Sequence, residues 1–172
     1  MLKLVATGTA LGLIAFLALC VAFGGDAVGP LLLTPASMLL GGFVLLMGWL
    51  VAAYSARNLR GQRRQARYAV LLATAIGALW LMVVAEPLVL MALGWTVSGL
   101  AIAGLVAHSD TASARSASRR VAGRLLVGDV ALWTAVVLLL SAGVSGRAGL
   151  EGVGWVVPAL LAVAGVVRSA LL

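Results

Sequence analysis

Charge is what this sequence has least of. Of its 172 residues only 10% are Asp, Glu, Lys or Arg, whereas 63% are hydrophobic and the mean hydropathy is +1.17. A soluble domain is about one quarter charged and about half apolar. A globule of this size must also cover itself with polar groups. A soluble enzyme and a disordered tail are therefore excluded. There is a single cysteine, Cys20, so no internal disulfide can form and a disulfide-stapled secreted domain is excluded too. There is a single histidine, His108, with no metal-ligand cluster and no phosphate-cradling glycine loop around it. No metal and no cofactor is expected. No hydrolytic or redox constellation appears either, so the chain is not expected to be an enzyme by itself. Acid is scarcer than base, 5 residues against 12, and the net charge is +7. Nucleic acid is one reading of that excess. In a membrane protein it marks arginine-rich cytoplasmic loops, and no nucleic-acid partner is expected.

What is abundant is uninterrupted apolar sequence. Residues 4–23, 28–54, 68–85 and 87–107 carry no charge, 125–146 carry only Asp129, and 152–167 lead uncharged into Arg168. A helix needs about 20 apolar residues to cross a hydrocarbon core of about 30 Å. The expected fold is an all-α integral membrane protein of about six transmembrane helices in one domain. The expected spans are 4–23, 30–54, 68–85, 87–107, 123–143 and 153–171. Glu86 and Pro87 mark a tight turn between the third and fourth, because proline lacks a backbone N–H and disfavours helix in the residue before it. Barrel strands do not fit, since the runs are long and do not alternate in polarity. The first run follows Lys3, and Leu17-Ala18-Leu19-Cys20 faintly resembles a lipoprotein cleavage box. Its length and the bulky Leu19 favour a retained helix over a signal peptide.

The arginines orient the bundle. Arg57, Arg60, Arg63, Arg64 and Arg67 occupy one loop, and Arg115, Arg119, Arg120 and Arg124 the next long one. With six crossings these fall on the same side as Lys3, while Asp26, Glu86, Glu151 and Arg147 fall opposite. By the positive-inside rule both termini are expected in the cytoplasm of a multi-pass protein of the cell (inner or plasma) membrane. Tyr54 and Tyr68 flank the first arginine loop, where interfacial rings belong. Topology alone accounts for these arginines at this level, ahead of lipid recognition.

Ionisable residues inside a span are costly and usually face the bundle interior or water. Asp129 in the fifth segment and Arg168 in the sixth are expected at similar depth, where they either pair or each snorkel to the interface. Thr96, near the middle of the fourth segment, offers a hydroxyl but no charge. Glu86, Arg124 and His108 are weaker candidates, and His108 reads first as an interfacial polar residue. Gly8-xxx-Gly12 and Gly94-xxx-Ser98 are spacings that let helix backbones approach closely.

The stretch Leu88-Val-Leu-Met-Ala-Leu-Gly-Trp-Thr-Val-Ser-Gly-Leu100 resembles a segment of the antiporter-like proton-conducting subunits. That family includes subunit 5 (chain L) of the NADH-quinone oxidoreductase, respiratory complex I, and the large subunit of Mrp-type sodium/proton antiporters. Tyr54-Ser-Ala-Arg-Asn-Leu-Arg-Gly61, continuing to Arg67-Tyr68, is similar to the loop after the family's DPLS helix, whose place Thr34-Pro35-Ala36-Ser37 takes. Gly128-Asp129 falls at the family's Arg-x-Gly-Asp helix start, and Ala164-Gly-Val-Val-Arg168-Ser-Ala170 looks like its G-x-x-G-K-S-A helix. The resemblance covers roughly residues 32 to 172, in the family's order. It implies a proton- or cation-translocating subunit of a larger membrane complex, with Asp129, Arg168 and Thr96 along an ion pathway.

The departures are informative. The family's glutamate after Gly-Trp is Thr96 here, its channel lysine is Arg168, and its arginine three before the aspartate is Leu126, with Arg124 two residues further back. Thr cannot exchange protons in that way, and Arg is effectively never deprotonated. The membrane subunit of the DAB-type inorganic-carbon uptake system is similar in lacking that glutamate. Its resemblance implies a large soluble zinc-containing, carbonic-anhydrase-like partner, with metal and catalysis outside this chain. Family members are far longer, so the expectation is the first part of an antiporter-like fold, a truncated or split form. A non-conducting scaffold, or a complex I or Mrp-type subunit, is the alternative.

Overall fold

The computed structural model describes residues 2–23, 27–28, 31–59, 64–109, 111–146 and 155–169. Asp26, Arg60, Arg63, Arg147 and Glu151 lie outside the described residues, as does the side chain of Arg168. The described residues form an all-helical architecture with one very small hairpin. The helices are α1 (Leu2–Phe23), α2 (Pro35–Asn58), α3 (Gln65–Val84), α4 (Leu88–Val106), α5 (Ala112–Ser141) and α6 (Val156–Ser169). Strands β1 (Ala27–Val28) and β2 (Leu31–Leu32) pair antiparallel between α1 and α2. Helices α1 to α5 are each long and apolar enough to cross a membrane. Among the described residues helix α6 is 14 residues long, shorter than a span, and residues 153, 154, 170 and 171 of the sixth expected span, 153–171, lie outside the described residues.

Local chemistry explains the boundaries. Thr34 caps α2 by accepting a hydrogen bond from the Ser37 amide at 3.2 Å, and Pro35 occupies the first turn, where no amide donor is required. The place of the DPLS motif is thus a capped helix start. Thr111 caps α5 in the same way through the Ala114 amide, at 3.1 Å. That cap sets the start of α5 at Ala112, well before the expected boundary at residue 123, so the second arginine cluster is helical. The α3–α4 turn lies at Ala85–Pro87, around the expected Glu86 and Pro87.

Packing follows chain order, each helix lying against the next, with α1 also touching α3. Two cores result. One gathers Phe16, Leu33, Leu45, Leu72, Ile76 and Val84 from the first half. The other gathers Leu88, Ala92, Leu132, Val136, Leu139, Val157 and Ala164 from the second. Helix α4 joins them because it is small on two faces. Gly94 and Gly104 meet α3, at Ala78–Met82 and Leu71, and Gly99 meets Leu125 of α5. Small residues let apolar helices approach closely where lipid offers no hydrophobic gain for association. By contrast, Gly8 and Gly12 have no neighbouring atom within 4 Å of where a Cβ would stand. The expected close approach at that pair is therefore not made by any described part of the chain: the bulky Phe16 one turn on makes the contact instead, reaching α2 at Gly41 and Trp80 of α3. Large apolar side chains such as Leu4, Val21 and Leu39 are exposed around the bundle, the outward surface that a bilayer covers.

The side opposite the arginine clusters is stitched by backbone. Leu31 bridges Ala85, Pro87 bridges Gly146, and the Leu88 amide donates to the Ser145 carbonyl at 3.1 Å. Glu86 stands between the two bridges, its carboxylate over Gly146 where a Cβ would overlap it.

Candidate functional site

Thr96, Asp129 and Trp133 bring polar side chains to the contact of α4 with α5, next to α6. On α5, Leu125, Asp129 and Trp133 form one row, because residues four apart stack on the same helix face. Both ends of that row touch α4: Leu125 packs on Gly99, and the Trp133 indole N–H donates to the Thr96 hydroxyl oxygen at 3.1 Å. Asp129 lies between them, half-buried. It thus occupies the α4-facing row within a helix that is otherwise uncharged from Leu125 to Ser141. Gly128, the preceding residue, lies 3.4 Å from the Ala164 carbonyl and 3.6 Å from Val167, measured from its Cβ position. Val167 precedes Arg168, so the backbone brings residues 129 and 168 to the same α5–α6 contact.

Thr96 is fixed by its partner. Its oxygen accepts from Trp133, which leaves the hydroxyl proton available to donate. Two residues on, Ser98 is fully buried, and its hydroxyl donates to the Trp95 carbonyl at 2.8 Å. Trp133 is not legible as a site residue from composition. The available signal is its spacing of four from Asp129, which places both on one face. Hydrogen bonds between helices in lipid average about 0.6 kcal/mol and reach about 1.7. Trp133→Phe and Thr96→Val are each expected to destabilise the bundle by that order, and the double variant by no more than the larger single effect. Thermal melts of the four proteins in one detergent check this; fully additive losses would show that the bond is not shared.

The weaker candidates lie elsewhere. Glu86 is on the stitched side, and from Leu88 to Thr96 is about 12 Å along α4. Arg124 is exposed on α5. His108 lies in a single 3-10 turn after α4, edge-on to Tyr68 with ring centroids 5.2 Å apart. The Tyr68 hydroxyl shares a 3.1 Å hydrogen bond with Ser55, so α2, α3 and the end of α4 meet at one polar node on the arginine side. His108 Nδ1 is buried there without a hydrogen-bond partner among the described residues. The node serves the helix ends and is separate from the Thr96–Trp133 contact. Among the described residues no cluster of His, Cys, Asp or Glu could hold a metal ion. Compared with known proteins, the chain matched no family model and no curated protein.

Proposed function

We propose that the chain is an antiporter-like, proton- or cation-translocating membrane subunit of a larger complex. The observation that carries the reading is the position of Asp129, a carboxylate within an apolar helix, on the row that reaches Thr96 of α4 through Trp133 and next to the Gly128 contact with Ala164 and Val167 of α6. An intramembrane carboxylate is expensive and is expected to act in ion or proton transfer. In this reading Asp129 exchanges the proton, the Thr96 hydroxyl held by Trp133 is a hydrogen-bonding station, and Arg168 remains a fixed positive charge. The arginine-rich side faces the cytoplasm. The finer reading places the subunit in inorganic-carbon uptake, beside a soluble zinc-containing partner. Thr96 after Trp95, in place of the family's glutamate, supports it.

Flux in proteoliposomes with the native partner supplied tests the assignment. Asp129→Asn keeps the size and removes the titratable group, and is expected to lower flux to the protein-free level. Unchanged flux would overturn the site. A pull-down from native membranes separates the settings: a large soluble zinc protein supports carbon uptake, and quinone-reducing subunits support a complex I type. The scaffold reading rests on Thr96 and Arg168, which stand where the resembled family has its proton-exchanging glutamate and lysine. It predicts that Asp129→Asn changes assembly and not transport.

A further inference from the structure

Helix α5 is 30 residues long, about 45 Å, against a hydrocarbon core of about 30 Å. Its first turns carry Arg115, Arg119, Arg120 and Arg124, all exposed, with no acidic residue between Ala112 and Gly128. At about 3.6 residues per turn these arginines spread over one half of the helix. The other half is the one that packs, through Ser118 on Ala103, Leu125 on Gly99 and Gly128 on Ala164. The residues between the arginines on the outer half are small, Ala112, Ser116 and Gly123. The result is a smooth guanidinium ridge without the bulky apolar anchors of a helix that lies in a membrane surface.

Depth decides what such a ridge meets. The Ser118 hydroxyl donates to the Ala103 carbonyl at 2.8 Å, and Ala103 lies three residues, about 4.5 Å, inside the end of α4 at Val106. Arg119 and Arg120, which follow Ser118, therefore stand level with the end of a membrane-length helix. Arg115 is one turn further toward water. Arg124 is between one and two turns deeper, within reach of the surface by snorkelling. The headgroup layer is about 5–7 Å thick on each side, so the ridge runs through it instead of standing clear in solution.

We propose that the outer face of α5 is a docking surface for anionic phospholipid headgroups of the arginine-side leaflet. Guanidinium groups grip phosphate bidentately, which an ammonium group cannot do. The proposal concerns bilayer contact only, and it stands or falls independently of transport.

The test is native mass spectrometry of the full chain extracted from bilayers that contain equal phosphatidylglycerol and phosphatidylcholine. The wild type is expected to retain phosphatidylglycerol preferentially. R119Q/R120Q should reduce that preference by about five-fold or more, the scale of one basic residue at an anionic surface. R57Q/R67Q, which removes the same charge from exposed positions on α2 and α3, should change it far less. R119K/R120K should fall between the wild type and the glutamine pair. Four outcomes would overturn the proposal: no lipid preference in the wild type, equal losses in the two glutamine pairs, displacement of the lipid by inorganic phosphate, or loss of a bound acidic protein with lipid preference intact. The wild-type and lysine arms remain decisive even where R119Q/R120Q does not fold.

Discussion

Gly94→Leu is expected to abolish recovery of folded protein, and even Gly94→Ala should cost about 1–3 kcal/mol, the range for overpacking a filled interior. A Cβ at residue 94 would stand 2.7 Å from the Ala78 carbonyl oxygen and 2.8 Å from the Met82 nitrogen. Both obstacles are backbone atoms of α3, so no side chain can rotate away and the helices themselves must separate. The seam they form is what joins the two cores. Gly77 and Gly8 provide the contrast, because a Cβ at either position meets no atom of another described element within 4 Å. Alanine at those positions should leave the melting temperature unchanged within about 0.5 kcal/mol of equivalent stability. Thermal melting and gel-filtration profiles of the three alanine variants check the pattern. A Gly94→Ala protein as stable as the wild type would show that the α3–α4 approach is looser than 2.7 Å implies.

The second large effect is a separation of stability from activity at Asp129. An aspartate at the centre of a membrane helix costs about 2.5–3.5 kcal/mol on insertion, and leucine is mildly favourable there. Asp129 is four residues past Leu125, midway between the start of the apolar stretch Leu125–Ser141 and its centre, so a cost nearer about 2 kcal/mol applies. Asp129→Leu is therefore expected to favour insertion of the α5 segment by roughly 30-fold, from the same figure and about 1.4 kcal/mol per decade. In the assembled complex the same change should eliminate transport. Glycosylation mapping of the segment gives the first quantity and proteoliposome flux the second. Improved insertion with unaltered flux would leave Asp129 without a functional role. Impaired insertion would mean that the carboxylate is already solvated at the interface.

Several features can be read from residues alone. The turn at Glu86-Pro87 is one, because proline acts locally. The start of α2 is not: the expected span begins at residue 30, whereas the Thr34 hydroxyl cap and Pro35 set the helix start at residue 35. The start of α5 is not legible in hydropathy. Hydropathy places the boundary at residue 123, next to the last arginine of the cluster, Arg124, whereas helicity depends on capping and propensity, and Ala-Ser-Arg sequence with a Thr111 cap satisfies both. The two small-residue pairs look alike in sequence and have opposite fates, Gly94 pressed against α3 and Gly8 with no neighbour. Trp133 carries no signal of its own without Thr96 opposite it.

The sequence by itself determined the solvent and the element type. Apolar runs of about 20 residues belong in lipid, and in lipid the backbone must satisfy its own hydrogen bonds, which makes them helices. It also determined which side carries the arginines. The tertiary structure alone decided which face of each helix is inside. These helices are apolar nearly all round, so the polar–apolar stripe that marks the buried face of a soluble helix is missing. Facing is then set by close packing of glycines and by a few hydrogen bonds between helices. Those contacts put Thr96 against Trp133, Gly128 against Ala164, and the arginines of α5 on the outside.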